Sequence, residues 1–126
     1  MPRLSFVKEG AGPSIVLSHA LGADLSMWDE VVAQLAPGFT VYRYDHRGHG
    51  KSQVVPGKVT IEDLADDAAE FIHRHVAGAV HFVGLSLGGM VAQQIAVRHP
   101  ELISSIVIAN SASYYDETAR GMWRAR

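Results

Sequence analysis

Ser86 is the residue whose sequence surroundings point most directly to chemistry. It lies in Gly84-Leu-Ser-Leu-Gly88, a Gly-x-Ser-x-Gly spacing that holds a serine hydroxyl at the tip of a sharp strand-to-helix turn. The spacing needs Gly84 and Gly88 because a Cβ at either position would clash with nearby backbone. The pattern therefore predicts a nucleophilic Ser86. The alternative is a structural serine in a glycine-rich connection.

The segments on both sides of Ser86 fit such a turn. Residues 80–83 form a short apolar run with two valines, which predicts a buried strand. Residues 90–98 have apolar positions at helical spacing, and His99-Pro100 ends the helix. The first N–H groups of that helix lack intrahelical partners and can face a developing anion. We expect a strained backbone with φ above zero at Ser86.

The rest of the chain predicts strands alternating with helices. Apolar, β-branched runs indicate strands at residues 4–7, 15–17, 39–44 and 105–109. This order favours an α/β fold, with a mostly parallel sheet and helices on both faces. Loops beginning at Ser18, Asp45 and Gly84 would then meet at the carboxyl edge of the sheet, where such folds bind ligands.

Two helices begin with capping signals. The pairs Ser26/Asp29 and Thr60/Asp63 have the form of a capping box, and Gly78 is placed to end the second helix. The first helix should bury Trp28, Val31, Val32 and Leu35. The second should bury Ile61, Leu64, Ala65, Ala68, Phe71, Ile72 and Val76, with Glu62, Asp66, Asp67, Glu70 and Arg74 on the opposite side.

Composition narrows the classes of function. The 126 residues suit one domain with a single core. The net charge of −2 offers no basic stripe for nucleic acid or anionic membrane. No cysteine is present, which excludes disulfides and a cysteine nucleophile and is compatible with a cytoplasmic protein. We expect no signal peptide, no membrane span, no metal and no cofactor.

Four segments together resemble the α/β-hydrolase family, in the family's order. They are residues 19–22, the Asp-x-Arg-Gly-x-Gly-x-Ser turn at residues 45–52, the turn around Ser86, and residues 106–111. The sequences of residues 17–29, 42–50 and 84–90 are most similar to those of 3-oxoadipate enol-lactonases. Haloperoxidase-like esterases share much of the same sequence. The resemblance covers nearly the whole chain and implies a hydrolase of a small carboxylic ester or enol-lactone.

The resemblance also implies roles for individual residues. Ser86 would form an acyl-enzyme, and the N–H groups of Leu87 and Leu21 would bind the oxyanion. Gly84 and Gly88 would support the turn. Ala20 departs from the glycine that usually follows the histidine in this family, and its Cβ could alter the loop that carries Leu21.

The resemblance implies that a catalytic acid and a catalytic histidine lie after the seventh and eighth strands, whereas this sequence ends after the sixth. On this reading residues 1–126 are a single, incomplete core domain without a cap domain. His19 and His46 are expected at the correct sheet edge, yet each of the seven histidines is most simply a surface or hydrogen-bonded residue. Asp45 is most simply a turn former. Asp116 is a weak candidate for the acid.

Three hypotheses of function remain open. The chain is a hydrolase, a non-catalytic fragment or binding module of the same fold, or part of an obligate assembly. The last predicted strand, residues 105–109, has no proline or charge to protect it as an edge. We therefore expect a homo-oligomer that uses this strand and residues 114–123. In the alternative, the tail covers the edge of its own chain.

Overall fold

The computed structural model describes residues 1–111 and contains one five-stranded sheet. Asp116 and the predicted contacts of residues 114–123 lie outside the described residues. The spatial order of the strands is β1-β3-β2-β4-β5. The elements are β1 (Phe6–Gly10), β2 (Ser14–Ser18), α1 (Asp29–Leu35), β3 (Thr40–Tyr44), α2 (Ile61–His75), β4 (Val80–Leu85), α3 (Leu87–Arg98) and β5 (Ile103–Ala109).

The predicted mostly parallel sheet is confirmed. Strands β2, β3, β4 and β5 pair in parallel, and only β1 runs antiparallel, against β3. The first strand extends to Gly10, past the predicted end at residue 7, because Glu9 and Gly10 pair with Val41 and Thr40. A Cβ at Gly10 would lie 2.2 Å from the carbonyl oxygen of Phe39, so this pairing requires glycine.

Helices cover both faces of the sheet, as expected for crossover connections. Neighbouring residues of β2 show this directly, because Ile15 and Leu17 pack in a cluster with α1, whereas Val16 packs with α2 and α3. Side chains that alternate along a strand point to opposite faces. A buried apolar core therefore lies on each side of the central strands.

The start of the first helix differs from the prediction. The carboxylate of Asp24 accepts the N–H of Ser26 at 2.8 Å and caps a 3₁₀ turn, Leu25–Trp28, so Ser26 does not cap α1. Trp28 and Val32 are buried as expected, but Val31 is 38% exposed. The predicted capping box and the prediction for Val31 are therefore wrong.

The second helix follows its predicted capping box. Asp63 N–H donates to the Thr60 hydroxyl, and the Asp63 carboxylate accepts the N–H of Thr60. The predicted apolar stripe packs into the core. The sequence pattern placed Asp67 on the polar side of the helix, but the structure shows that it is buried. The helix ends at His75, and Val76 is already extended, so Gly78 lies beyond the helix end and does not stop it.

The last strand lies at one edge of the sheet that the structure describes. It begins at Ile103, two residues before the predicted start. Val107 and Ile108 are 54% and 41% exposed, respectively. Among residues 1–111, no helix has the length and apolar character needed to cross a membrane.

Candidate active site

Ser86 lies between β4 and α3, in the conformation that the sequence predicts. Its backbone angles are φ 53° and ψ −110°, and it is one of two residues other than glycine with positive φ in the described part of the chain. L-residues rarely adopt such angles, which cost about 1–3 kcal/mol. The predicted positive φ is confirmed, and helix α3 begins at Leu87, directly after the serine and three residues before the predicted start.

The two flanking glycines are required by contacts between backbone segments. A Cβ at Gly84 would lie 2.0 Å from the carbonyl oxygen of Gly88. A Cβ at Gly88 would lie 2.0 Å from the carbonyl oxygen of Ser18, at the end of β2. Neither atom is the end of a flexible side chain, so a larger residue would require the backbone to move.

Hydrogen bonds from the last strand hold Ser86 in this strained position. The N–H of Ser86 donates to the carbonyl of Ala109 at 2.9 Å, and the hydroxyl of Ser111 donates to the carbonyl of Ser86 at 2.7 Å. Sequence reasoning gave no role to Ser111. The available signal was a small polar residue just after a strand end, which is too common to be specific.

The start of α3 presents a free donor beside Ser86. Gly89 and Met90 donate their N–H groups to the Ser86 carbonyl, but no acceptor within residues 1–111 binds the N–H of Leu87. The positive end of the helix dipole lies at the same place. A negative charge developing next to Ser86 would therefore meet an unpaired donor.

The loop that follows β2 lies next to this turn. Ser18 pairs with Gly84 of β4 on one side and with Tyr44 of β3 on the other, so the three predicted loops meet at one sheet edge. Leu21 lies in this loop and is 43% exposed. No residue of the described part accepts the N–H of Leu21, whereas that of Gly22 is bound.

Asp45 connects this loop to the glycine-rich turn. Its buried carboxylate accepts the N–H of Leu25 at 2.8 Å, the N–H of Lys51 at 3.0 Å and the hydroxyl of Ser5 at 2.6 Å. A Cβ at Gly50 would lie 2.3 Å from that carboxylate. The expected role of Asp45 as a turn former is confirmed. Its carboxylate also joins the turn to Leu25 and to Ser5.

Arg47 fixes the same turn to helix α2. Its guanidinium donates two hydrogen bonds to the buried carboxylate of Asp67, at 2.6 and 2.7 Å. This ion pair explains why Asp67 is buried on the polar side of α2, and it raises the pKa of Arg47. Paired charges of this kind tolerate burial because each satisfies the other.

Three histidines, His19, His46 and His49, form a cluster of contacting rings at the loop that carries Leu21. The N–H of His46 donates to Nε2 of His19 at 3.0 Å, and Nδ1 of His19 donates to the carbonyl of Ala20 at 2.7 Å. Nε2 of His46 donates to the carbonyl of His19 at 2.8 Å. Carbonyls only accept and amides only donate, so His19 is neutral with its proton on Nδ1, and His46 carries a proton on Nε2.

Burial favours the neutral state of both rings. Desolvation lowers the pKa of His46 to about 3 and also lowers the pKa of His19. Nδ1 of His46 is buried and has no partner among the described residues. Both rings lie at the expected sheet edge, but their nitrogens hold loops together, and neither binds the Ser86 hydroxyl.

The other histidines lie away from Ser86. His81 bonds Ser105 at 2.7 Å, and His99 bonds Asp66 at 2.8 Å at the end of α3. His73 and His75 lie on the last turn of α2. Within residues 1–111, no histidine hydrogen-bonds the Ser86 hydroxyl, and no group of three ligating side chains could hold a metal ion.

Comparison with known proteins agrees with this geometry. Residues 13–124 match the family model described as alpha/beta hydrolase fold. This match covers most of the chain and includes β2, the turn at residues 45–52 and Ser86. The chain belongs to the α/β-hydrolase family. In this α/β hydrolase, the three loops at the carboxyl edge are therefore the expected place for a reaction site.

The proteins similar to this α/β hydrolase include an enol-lactonase and a protein named as a carbamate hydrolase. The 3-oxoadipate enol-lactonase 2 of Acinetobacter baylyi is 32% identical over 114 residues, covering 90% of this chain and 42% of the relative. A Serratia proteamaculans protein provisionally named carbamate hydrolase RutD is 34% identical over 115 residues, covering 90% and 43%. The enol-lactonase structure from Burkholderia xenovorans has a TM-score of 0.85 at 39% identity, covering 89% of this chain and 45% of that one.

The chain thus spans less than half the length of these relatives. The segment that they share with it contains the strained serine turn and the loop after β2.

Proposed function

We propose that this α/β hydrolase cleaves a carboxylic ester or an enol-lactone through an acyl-enzyme on Ser86. The observation that carries the proposal is the backbone of Ser86, held at φ 53° next to the N–H of Leu87, which no acceptor within residues 1–111 binds. A turn held at such a strained conformation exposes a hydroxyl beside donors for an oxyanion. Enol-lactonases among the similar proteins support the substrate class.

The proposed reaction has two stages. The hydroxyl oxygen of Ser86 attacks the substrate carbonyl carbon, and its proton passes to a base. The N–H groups of Leu87 and Leu21 donate to the oxyanion, and the alkoxide or enolate leaves as the acyl-enzyme forms. Water then releases the acid and restores Ser86. The base and its acidic partner are not assigned to any residue between 1 and 111.

Ester turnover tests the proposal directly. With free imidazole supplied as the base, we expect p-nitrophenyl acetate and an enol-lactone to be hydrolysed faster by the wild-type chain than by Ser86→Ala. Ser104→Ala is the matched control, because Ser104 is an exposed serine on β5. A rate for Ser86→Ala equal to that of wild type and the control would contradict the proposal.

A second candidate is a non-catalytic binding protein that has the same fold but lacks the chemistry. It is favoured by the absence, within residues 1–111, of a histidine bonded to the Ser86 hydroxyl. A serine without a base is a weak nucleophile at neutral pH. Saturable binding of an ester analogue, with neither turnover nor covalent labelling of Ser86, would identify this second function.

We also propose that a second copy of the chain pairs with β5. The motivation is the uncharged edge strand Ile103–Ala109, in which Val107 is 54% exposed. Exposed apolar edges of this kind favour pairing with another strand. In a twofold dimer the two copies of β5 would run antiparallel.

Sedimentation at micromolar concentration tests this assembly. We expect a species of at least twice the 13.6 kDa chain mass. Val107→Lys should shift it towards monomer by placing a charge on the edge strand, and Val97→Lys, at an exposed position of α3, is the control. A wild-type monomer would contradict the proposal.

We further propose a cytoplasmic location, because the sequence has no cysteine and therefore no disulfide that would require an oxidising compartment. Fractionation of the source cells tests it, and recovery with the extracellular or membrane fraction would contradict it.

A further inference from the structure

Leu21, the second proposed oxyanion donor, lies between two residues that are tied to the turn at 45–52. On its N-terminal side, His19 is bound by His46 in both directions, at 3.0 and 2.8 Å. On its C-terminal side, the N–H of Gly22 donates to Nε2 of His49 at 3.2 Å. The geometry of the loop therefore depends on the rings of the histidine cluster.

The two attachments differ in their access to solvent. His19 and His46 are buried, whereas His49 is only partly buried. Nδ1 of His49 donates to the carbonyl of Arg47 at 3.1 Å, so Nε2 must be the unprotonated nitrogen that accepts from Gly22. Among the three rings, that of His49 is therefore the one that protons can reach most easily.

We propose that His49 is a positioning residue, which holds the Leu21 N–H towards Ser86 by accepting the N–H of Gly22 in its neutral form. The effect of His49 on catalysis rests on the proposed function, whereas its bond to Gly22 does not. A proton on Nε2 would replace the acceptor with a second donor and break the bond to Gly22. The loop would then lose its C-terminal attachment, and Leu21 its fixed orientation.

Some charged groups around the cluster favour a proton on these rings, and others oppose it. His19 and His46 lie against the ring of His49, with centroids 5.2 and 5.7 Å away, and a proton on either would oppose one on His49. Asp24, in the loop after β2, and Asp45, at the start of the turn, favour protonation of the cluster. The cationic side chains of Arg47 and Lys51 belong to the same turn.

Nuclear magnetic resonance of the ¹⁵N-labelled chain tests the bond between pH 8 and pH 5.5. We expect the Gly22 amide to shift with the same midpoint as the ring nitrogens of His49. His49→Gln should abolish that shift, because glutamine offers an acceptor oxygen and does not titrate. His73→Gln, on helix α2, is the matched control and should leave the Gly22 titration unchanged. A flat Gly22 signal while His49 titrates, or an unchanged titration in His49→Gln, would overturn the proposal.

The catalytic consequence is measured by the rate at which a fluorophosphonate labels Ser86. Towards pH 5.5 we expect the rate in the wild type to fall more than in His49→Gln, since loss of one oxyanion donor costs about 10²–10³ in rate. Equal pH profiles would overturn the positioning role. Failure of Ser86 to react at any pH would instead defeat the proposed function, and the Gly22 titration would still decide whether His49 holds the loop.

Discussion

The Cα of Gly88 lies directly against the carbonyl of Ser18, so that a Cβ at position 88 would sit 2.0 Å from the Ser18 oxygen. This contact joins the first turn of α3 to the end of β2. It brings the N–H of Leu87, which has no acceptor within residues 1–111, close to the loop that carries Leu21. The second glycine of the motif is thus needed for contact between two loops as well as for the turn itself.

Valine at Gly84 or Gly88 should destabilise the chain far more than alanine at Ser86. Either valine would place side-chain atoms within a backbone contact of 2.0 Å, and we expect a loss of about 3 kcal/mol, at the upper end of the usual cost of overpacking. Ser86→Ala keeps the backbone and should change the unfolding free energy by less than about 1 kcal/mol. Urea midpoints of the three variants measure this, and a midpoint for Ser86→Ala below both valine variants would refute it.

Glycine at Ser86 should stabilise the fold. The φ of 53° at Ser86 strains any residue with a Cβ, and glycine adopts such angles freely. Relative to Ser86→Ala, we expect Ser86→Gly to gain about 1 kcal/mol after the greater unfolded-state entropy of glycine is subtracted. Thermal denaturation of the two variants compares them, and a lower melting temperature for Ser86→Gly would argue against strain at this position.

Removal of Arg47 should leave a buried charge without a partner. We expect Arg47→Met to cost about 3–5 kcal/mol, because Asp67 is buried and loses two short hydrogen bonds. The double variant Arg47→Met/Asp67→Leu should recover much of that loss, because no unpaired charge remains. A double-mutant cycle in urea measures the coupling. Strictly additive losses would mean that the pair does not act as a unit.

Acid should destabilise the chain through His46. Its pKa is lowered from 6.5 to about 3 in the folded state, so between these values the unfolded chain binds a proton that the native chain does not. Stability is therefore complete above about pH 6.5 and falls as the pH decreases, with His46 contributing a loss of about 2 kcal/mol between pH 7 and pH 5.

His46→Gln isolates this contribution. Glutamine can keep a donor towards the carbonyl of His19 but does not titrate. Urea unfolding at pH 7 and pH 5 should show a smaller pH-dependent loss in the variant than in the wild type. An equal loss in both proteins would mean that His46 is not excluded from protonation in the native state.

Local sequence patterns predicted the serine turn well. Spacing alone predicted the position and backbone angle of Ser86, because the contact between Gly84 and Gly88 lies within the motif itself. The contact between Gly88 and Ser18 joins distant parts of the chain, and the spacing did not predict it. The Thr60/Asp63 capping box succeeded for the same reason. In contrast, Ser26 lost its predicted role when Asp24, two residues earlier, capped a 3₁₀ turn.

Features that depend on distant partners were not predictable from one sequence. The burial of Asp67 depends on Arg47, 20 residues away, and the support from Ser111 reaches Ser86 across 25 residues. The protonation state of the histidine cluster follows from which nitrogen faces a carbonyl and which faces an amide. These contacts form only when β2 and β3 pair and bring His19 and His46 together.

Covalent labelling of Ser86 tests the central claim most directly. A fluorophosphonate is incubated with the folded chain and with the chain in denaturing urea, with free imidazole as the base in both, and the labelled residue is located by mass spectrometry. We predict labelling confined to Ser86 and at least about 10²-fold faster in the folded chain, because the turn and its oxyanion donors exist only there. Equal rates in the folded and unfolded chain, or labelling spread over other serines, would contradict a nucleophilic role for Ser86.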